Sequence, residues 1–178
     1  MSTKTIWKLD PSHSEVQFKV KHLVISTVTG QFTDFIGEIH TDGNEIAGAN
    51  AIFEAKVDSI STNNADRDGH LKSADFFDAA SHPTINFSAT SFEKVSGDEF
   101  EITGDLTLRG ITKSIKLKSE LGGMATDPYG QEKVGFEITG KISRKEFGLT
   151  WSAVTEAGGV VVGDEIKLLL NLQFVKQA

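Results

Sequence analysis

The chain has 178 residues, of which 38% are hydrophobic and 24% are charged, with 17 glycines, 3 prolines and no cysteine. A net charge of −7 argues against nucleic-acid binding, because such proteins need a basic face to displace the counterions of the phosphates. Without cysteine, disulfides, thiolate catalysis and zinc–thiolate sites are excluded. The length fits one domain covering residues 1–178.

Membrane and export signals are not visible in the sequence. The N-terminal residues lack the apolar core of a signal peptide, and no segment approaches the roughly 20 apolar residues that cross a bilayer. We therefore expect a soluble protein without stable membrane insertion. The sequence as it stands predicts a cytoplasmic location, or a periplasmic one if an export signal has been removed.

Alternation of apolar and polar residues dominates the chain, and this period of two is typical of half-buried β-strands. In the first clear run, Val16, Phe18 and Val20 alternate with Gln17 and Lys19. A short strand is also predicted ahead of it, at residues 5–9. Short connections with turn residues indicate antiparallel neighbours. The eight clear runs cover residues 16–20, 35–39, 49–57, 85–89, 100–108, 115–117, 134–142 and 166–174.

Two segments depart from this alternation. Residues 63–80 carry helix-forming residues, a candidate N-cap at Asn64, and Leu71, Ala74 and Phe77 at three-residue spacing. They predict a short helical insert that lays an apolar edge on the sheet. Nearer the C-terminus, Trp151 and the glycine pair at 158–159 indicate a long hairpin over one barrel end, acting as a lid or a dimer contact.

Eight long antiparallel strands with one apolar face must close or form a sandwich. Closure removes the unpaired edges that promote aggregation, so we predict an all-β, antiparallel, eight-stranded barrel. A barrel of this size either fills its interior with side chains or holds one small ligand.

Small residues on the apolar register leave both of these possibilities open. In the first, they leave an apolar tube that suits an acyl or prenyl chain. In the second, they mark barrel corners or pack opposite phenylalanines, and the core is filled. These residues are Gly37, Ala49, Ala51, Ala55, Ala89, Gly104 and Gly140.

Polar clusters give little support for catalysis. Asp10, Ser12 and His13 are close in sequence, but a hydrolytic triad also needs an oxyanion hole, and no Gly-x-Ser-x-Gly elbow is present. Asp and Ser ahead of a strand usually form a side-chain-capped turn. The histidines show no metal-binding spacing, although strands could still bring three of them together. We therefore predict no catalytic residue, no metal site and no cofactor. The histidines are His13, His22, His40, His70 and His82.

An ordered set of motifs along the whole chain resembles the YceI family of polyisoprenoid-binding, lipocalin-like barrels. Its first element is Trp7 to Ser14, followed by Val16, Phe18 and Lys21-His22. The central part is Arg67-Asp68-Gly69-His70-Leu71-Lys72. The remaining motifs are residues 30–32, 35–37, 75–78, 82–83, 104–113 and 143–148.

This resemblance implies a lipocalin-like barrel that binds, and carries or stores, a long apolar amphiphile: an isoprenoid quinone, a polyprenyl phosphate or a fatty-acid-like lipid. It also implies a homodimer and, for many members, export to the periplasm. A ligand-free, filled barrel acting as a dimeric stress or interaction module is the alternative, and a hydrolase that depends on His13 or His70 is a more distant one.

The residues expected to contact the ligand fall into two groups. Arg67, Asp68 and His70 are candidates for contact with a headgroup at the barrel mouth, since arginine pairs with phosphate or carboxylate and histidine titrates near neutral pH. Alternatively, they form a structural network that fixes the helix. The predicted lipid-contacting wall consists of Phe18, Val20, Phe35, Phe53, Phe87, Ile102, Leu106, Leu117, Phe136, Ile138, Leu168 and Leu170.

Overall fold

The computed structural model describes residues 4–22, 25–149 and 162–177, and this part of the chain forms strands and one short α-helix. Trp151 and the glycine pair at 158–159 lie outside the described residues. The helix α1 is Ala65–Lys72, and 3-10 helices occupy Pro11–His13, Val57–Ser59 and Arg144–Phe147. The strands are β1 (Lys4–Leu9), β2 (Glu15–His22), β3 (Ser26–Phe32), β4 (Phe35–Asp42), β5 (Glu45–Lys56), β6 (Ile60–Ser61), β7 (Thr84–Ser96), β8 (Glu99–Leu108), β9 (Ile111–Thr126), β10 (Glu132–Ser143) and β11 (Val162–Lys176).

All eleven strands belong to one antiparallel sheet in the order β1-β4-β5-β7-β8-β9-β10-β11-β2-β3-β6. The sheet closes because β1 also pairs with β11, with Trp7 opposite Lys176. Both β1 and β2 pair with β11, each along a different part of its length. On their other side, β4 pairs with β1 and β3 pairs with β2. In the next position, β5 pairs with β4 and β6 pairs with β3. The first three barrel strands are therefore each broken into two pieces, and the closed barrel has eight strands.

The break between β1 and β2 has a local cause. Pro11 cannot donate a backbone hydrogen bond to a sheet, and Asp10 caps the following turn by accepting the backbone N–H of Ser12 at 3.0 Å. The turn redirects the chain while both flanking strands stay in register with β11.

The eight predicted runs and the short strand at residues 5–9 are confirmed as strands. Two further strands, β3 and β6, were not predicted from the alternation. In β3, Gly30 stands at an inward position where the pattern needs an apolar side chain, so the period of two is hidden. The ring of Phe18, directly opposite on β2, covers this glycine and supplies the missing apolar group.

The predicted helical insert is present but shorter than residues 63–80. Its N-cap is Asn64, whose side-chain oxygen accepts the backbone N–H of Arg67 at 3.0 Å. After Lys72 the chain continues in turns, and the apolar edge is formed by Leu71, Phe76 and Phe77. The expectation for Ala74 was wrong: this residue is exposed. None of the described helices is long and apolar enough to cross a membrane.

The barrel has two different ends. At the turn end, where the hairpins at residues 43–44, 97–98 and 127–131 lie, Phe92, Phe100, Phe136 and Phe174 pack edge to face with ring centroids 5.8–6.0 Å apart. All four side chains are buried. At the opposite end, which we call the insert end, lie α1 with its following turns, the hairpin at residues 109–110 and the 3-10 helix Arg144–Phe147.

Candidate functional site

An apolar cavity of about 200 Å³ lies inside the barrel. Its lining comes from β2, β3, β4, β5, β7, β8, β9, β10 and β11, and from Leu71, Phe76 and Phe77 of the insert. Gln17 and Arg144 are the only polar residues in the described lining. A cavity with apolar walls favours apolar ligands, since an apolar void of similar size binds hydrocarbons.

Eleven of the twelve predicted wall residues line this cavity. The twelfth, Phe35, is buried and stacks on Phe53 with centroids 6.1 Å apart, so it supports the wall without lining the cavity. Contact of these side chains with a lipid stays a prediction. The eleven are Phe18, Val20, Phe53, Phe87, Ile102, Leu106, Leu117, Phe136, Ile138, Leu168 and Leu170.

The small inward residues do not act alike. Ala51 lines the cavity and is half-buried, whereas Ala55, also in the lining, is only 1% exposed. The space above Gly104 and Gly140 is occupied by the side chains of Phe87 and Leu117. Gly104 and Gly140 therefore pack against large neighbours, as the filled-core interpretation expected. A cavity nevertheless remains inside the barrel.

The insert is held to the barrel by two of the predicted mouth residues. Arg67 donates through Nε to the Thr62 hydroxyl at 2.8 Å and through a terminal nitrogen to the Thr62 carbonyl at 2.7 Å. Asp68 accepts both the backbone N–H and the hydroxyl of Thr62, at 2.8 and 2.5 Å. Thr62 itself is 4% exposed. This arrangement is the structural network that was the alternative to headgroup contact.

The third predicted mouth residue contacts other residues of the insert. His70 is within 2.9 Å of Asp75 through Nε2, and its ring packs edge to face on Phe76. Arg109, from the β8–β9 hairpin, donates to the carbonyl oxygens of Phe76 and Gly148 at 3.1 Å. The insert, this hairpin and the 3-10 helix are thus tied together at one end of the cavity.

Arg144 was not predicted as a site residue, although it belongs to one of the motifs. It lines the cavity at the insert end and is 3% exposed. Its guanidinium donates to the carbonyl oxygens of Leu149, Val162 and Gly163 at 2.7–3.1 Å, which ties the end of β10 to the start of β11. Burial lowers the pKa of Arg144, and the charge of Asp164 opposes this shift. The sequence signal that could have identified Arg144 is its position as a charged residue directly after the alternating strand β10.

The cluster of Asp10, Ser12 and His13 is a capped turn and has no triad geometry. Both the Asp10 carboxylate and the Ser12 hydroxyl lie at Nδ1 of His13, at 2.8 and 3.2 Å, whereas a triad places them on opposite ring nitrogens. Hydrogen bonds from Ser12 and His13 hold the pKa of Asp10 below its ordinary 3.8. Within the described ranges, no three metal-ligating side chains come together.

Comparison with known proteins gives consistent matches. A family model described as the YceI-like domain matches residues 7–174. Protein YceI of Escherichia coli O157:H7 is 38% identical over 173 residues, covering 96% of this chain and 87% of that protein. The crystal structure of a Campylobacter jejuni YCEI protein is 33% identical, with a TM-score of 0.78 over 89% of this chain and 90% of that one.

A more distant solved structure shares the fold. It is a polyisoprenoid-binding domain from Saccharophagus degradans implicated in plant cell wall breakdown, 15% identical to this chain. Its TM-score is 0.70 over 98% of both chains.

Proposed function

Since the chain belongs to the YceI-like family, we propose that it binds a long apolar chain inside the barrel and carries or stores that molecule in water. The apolar cavity is the observation on which this proposal rests. The description of the Saccharophagus domain as polyisoprenoid-binding supports an isoprenoid as the ligand. A quinone, a polyprenyl phosphate and a fatty-acid-like lipid all present such a chain.

The energetics favour a long chain over a short one. Each methylene moved out of water contributes about 0.8 kcal/mol. Association itself costs about 4–15 kcal/mol in lost freedom, so a chain of about ten carbons gains little net affinity. A chain of about twenty carbons contributes about 16 kcal/mol, which exceeds this range of costs. Long chains are therefore retained, and short ones exchange freely.

Cavity size sets a condition on such binding. A volume of about 200 Å³ lies below the roughly 300–1,000 Å³ of ordinary ligand pockets. A long chain therefore needs additional room at the insert end, where Leu71 and Phe77 are only partly buried. Displacement of the insert would supply this room, since the insert contributes cavity lining without being a strand of the barrel.

Binding, without catalysis, is the role that the side chains support. The cavity wall supplies hydrocarbon, and its buried guanidinium is bonded to backbone carbonyl groups. The headgroup role of Arg67, Asp68 and His70 and the homodimer stay predictions.

Native mass spectrometry of the purified protein, followed by organic extraction, tests the proposal. We expect a stoichiometric apolar adduct, and we expect Ala51→Leu to reduce its occupancy because Ala51 faces the cavity. The matched control is Ala125→Leu, on the exposed part of β9. A bare protein mass, with no uptake from a mixture of quinones and prenyl phosphates, contradicts the proposal and favours a filled barrel.

A further inference from the structure

A continuous row of paired residues crosses part of the barrel wall and contains two glycines. Gly30 on β3 lies opposite Phe18 on β2, Phe18 lies opposite Leu168 on β11, and Leu168 lies opposite Gly140 on β10. Phe18 and Leu168 both line the cavity. Neighbouring strands lie about 4.8 Å apart, so side chains in such a row compete for the same space.

At one end of this row, Phe18 lies against the wall over Gly30. A methyl group at Gly30 would lie 2.7 and 2.9 Å from Cε1 and Cε2 of the Phe18 ring, and closer still to Cζ. The ring thus occupies the space of the missing side chain. It cannot move further outward, because the backbone of β3 is behind it.

The same arrangement recurs at the other end of the row. A methyl group at Gly140 would overlap Cδ2 of Leu117, while the next atoms, Leu117 Cγ and the Lys116 carbonyl oxygen, are 3.7 and 3.8 Å away. Only the tip of a flexible side chain lies in the way. Leu117 also lines the cavity, so its position affects the cavity width at this level.

A third pair, Gly104 and Phe87, differs in one respect. A methyl group at Gly104 would lie 2.5 Å from Phe87 Cζ but also 2.5 Å from the carbonyl oxygen of Ser88. Since a backbone oxygen in a sheet cannot move aside, a substitution there disturbs the barrel itself. Of these three glycines, Gly30 and Gly140 are therefore the ones where a methyl group can change the cavity width without rebuilding the wall.

We propose that Gly30 and Gly140 determine the width of the cavity, and that the room they provide admits a methyl-branched chain as well as an unbranched one. This inference rests on the proposed function, because it concerns which apolar chain enters. An alanine at either position pushes Phe18 or Leu117 toward the barrel axis. A branch methyl then meets that side chain, whereas an unbranched chain still passes.

A competition between two fatty acids tests this inference on the full chain. Palmitic acid and phytanic acid share backbone length and carboxylate and differ only in the methyl branches of phytanic acid. Delipidated protein is mixed with equal amounts of both, and native mass spectrometry gives the ratio of the two complexes. We expect Gly30→Ala and Gly140→Ala each to shift this ratio toward palmitic acid by about tenfold or more, as a misfitted methyl group does in apolar pockets.

Two further variants separate cavity width from general damage. Gly135→Ala is the matched control on β10, because the nearest atom to its added methyl group is the Leu172 carbonyl oxygen at 3.9 Å, and its ratio should stay at the wild-type value. The double variant Gly30→Ala with Phe18→Leu removes the displaced ring tip and should regain phytanic acid.

The outcomes are distinguishable. If wild-type protein binds both acids and neither Gly30→Ala nor Gly140→Ala changes the ratio, the inference on width is overturned while the proposed function stands. An equal shift in Gly135→Ala also overturns it. If wild-type protein binds neither acid, the proposed function fails for simple apolar chains, and this inference fails with it.

Discussion

At the scale of single residues, Thr62, directly after β6, links the insert to the barrel. Its hydroxyl and backbone groups bind both Arg67 and Asp68, two of the three charged residues at the start of α1. Hydrogen bonds to charged groups are stronger than neutral ones, and those at a buried residue are the most costly to lose. The position of the insert over the cavity therefore depends in part on the Thr62 hydroxyl, together with the bond that Arg109 donates to Phe76.

We expect Thr62→Val to lower the free energy of unfolding by about 2–3 kcal/mol, because it removes a donor to Asp68 and an acceptor for Arg67 while preserving shape. Urea unfolding measures the change. Thr90→Val is the control, since the Thr90 hydroxyl is exposed and donates only to the Thr103 carbonyl oxygen. Equal stability of Thr62→Val and wild-type protein would show that the hydrogen bonds of the Thr62 hydroxyl contribute nothing.

At the scale of elements, α1 is a short helix stabilised by its ends. Asn64 caps it, Asp66 and Asp68 lie in the first turn, and His70 and Lys72 lie in the last turn, as the helix dipole favours. No residue of the helix is fully buried. An eight-residue helix of this kind is marginal by itself, so small local changes alter its population.

Two substitutions in α1 should have opposite effects. Asn64→Ala removes the cap and should destabilise the helix by about 1 kcal/mol. Gly69→Ala should stabilise it by about 0.5–1 kcal/mol, because alanine favours helix and its methyl group would meet no atom within 4 Å. Amide hydrogen exchange at residues 65–72 reports both changes. Protection that changes in the same direction in both variants would contradict this account of the helix.

At the scale of the whole molecule, barrel closure fixes the cavity. Trp7 on β1 is only 1% exposed, and its Nε1 donates a hydrogen bond to the Thr41 hydroxyl at 2.9 Å. Strand β1 pairs with β11 on one side and with β4 on the other. Closure leaves the apolar faces of the barrel strands directed inward. A ligand in that interior binds the folded chain only, so its binding energy adds to the stability of the fold.

Ligand-free and ligand-loaded protein should therefore differ in thermal stability. At a free phytanic acid concentration of about 100 times its dissociation constant, the gain is about 2.7 kcal/mol. For a chain of this length, that gain raises the midpoint by about 5–10 °C. Differential scanning calorimetry measures it, and Ala51→Leu should show a smaller rise. Equal midpoints with and without the acid would contradict preferential binding of the acid to the folded chain.

Much of the fold was predictable because the responsible signals are local. The alternation of apolar and polar residues along the chain, from Val16 to Phe174, identified the main strands. The cap at Asn64 identified the helix start. β3 was not found this way, since Gly30 removes the apolar residue that the period requires. Its partner Phe18 is remote in sequence, and nothing near Gly30 indicates that a ring covers it.

The sequence by itself determined an all-β barrel with a short helical insert and an apolar lining, because strand periodicity, turn residues and caps act between near neighbours. Only the tertiary structure decided which residues face the cavity and which support it. Phe35 stacks behind the wall, Arg67 and Asp68 bind Thr62, and Arg144 joins two strand ends. Each of these roles depends on partners that barrel closure and the folding of the insert bring together, which no periodicity in the sequence specifies.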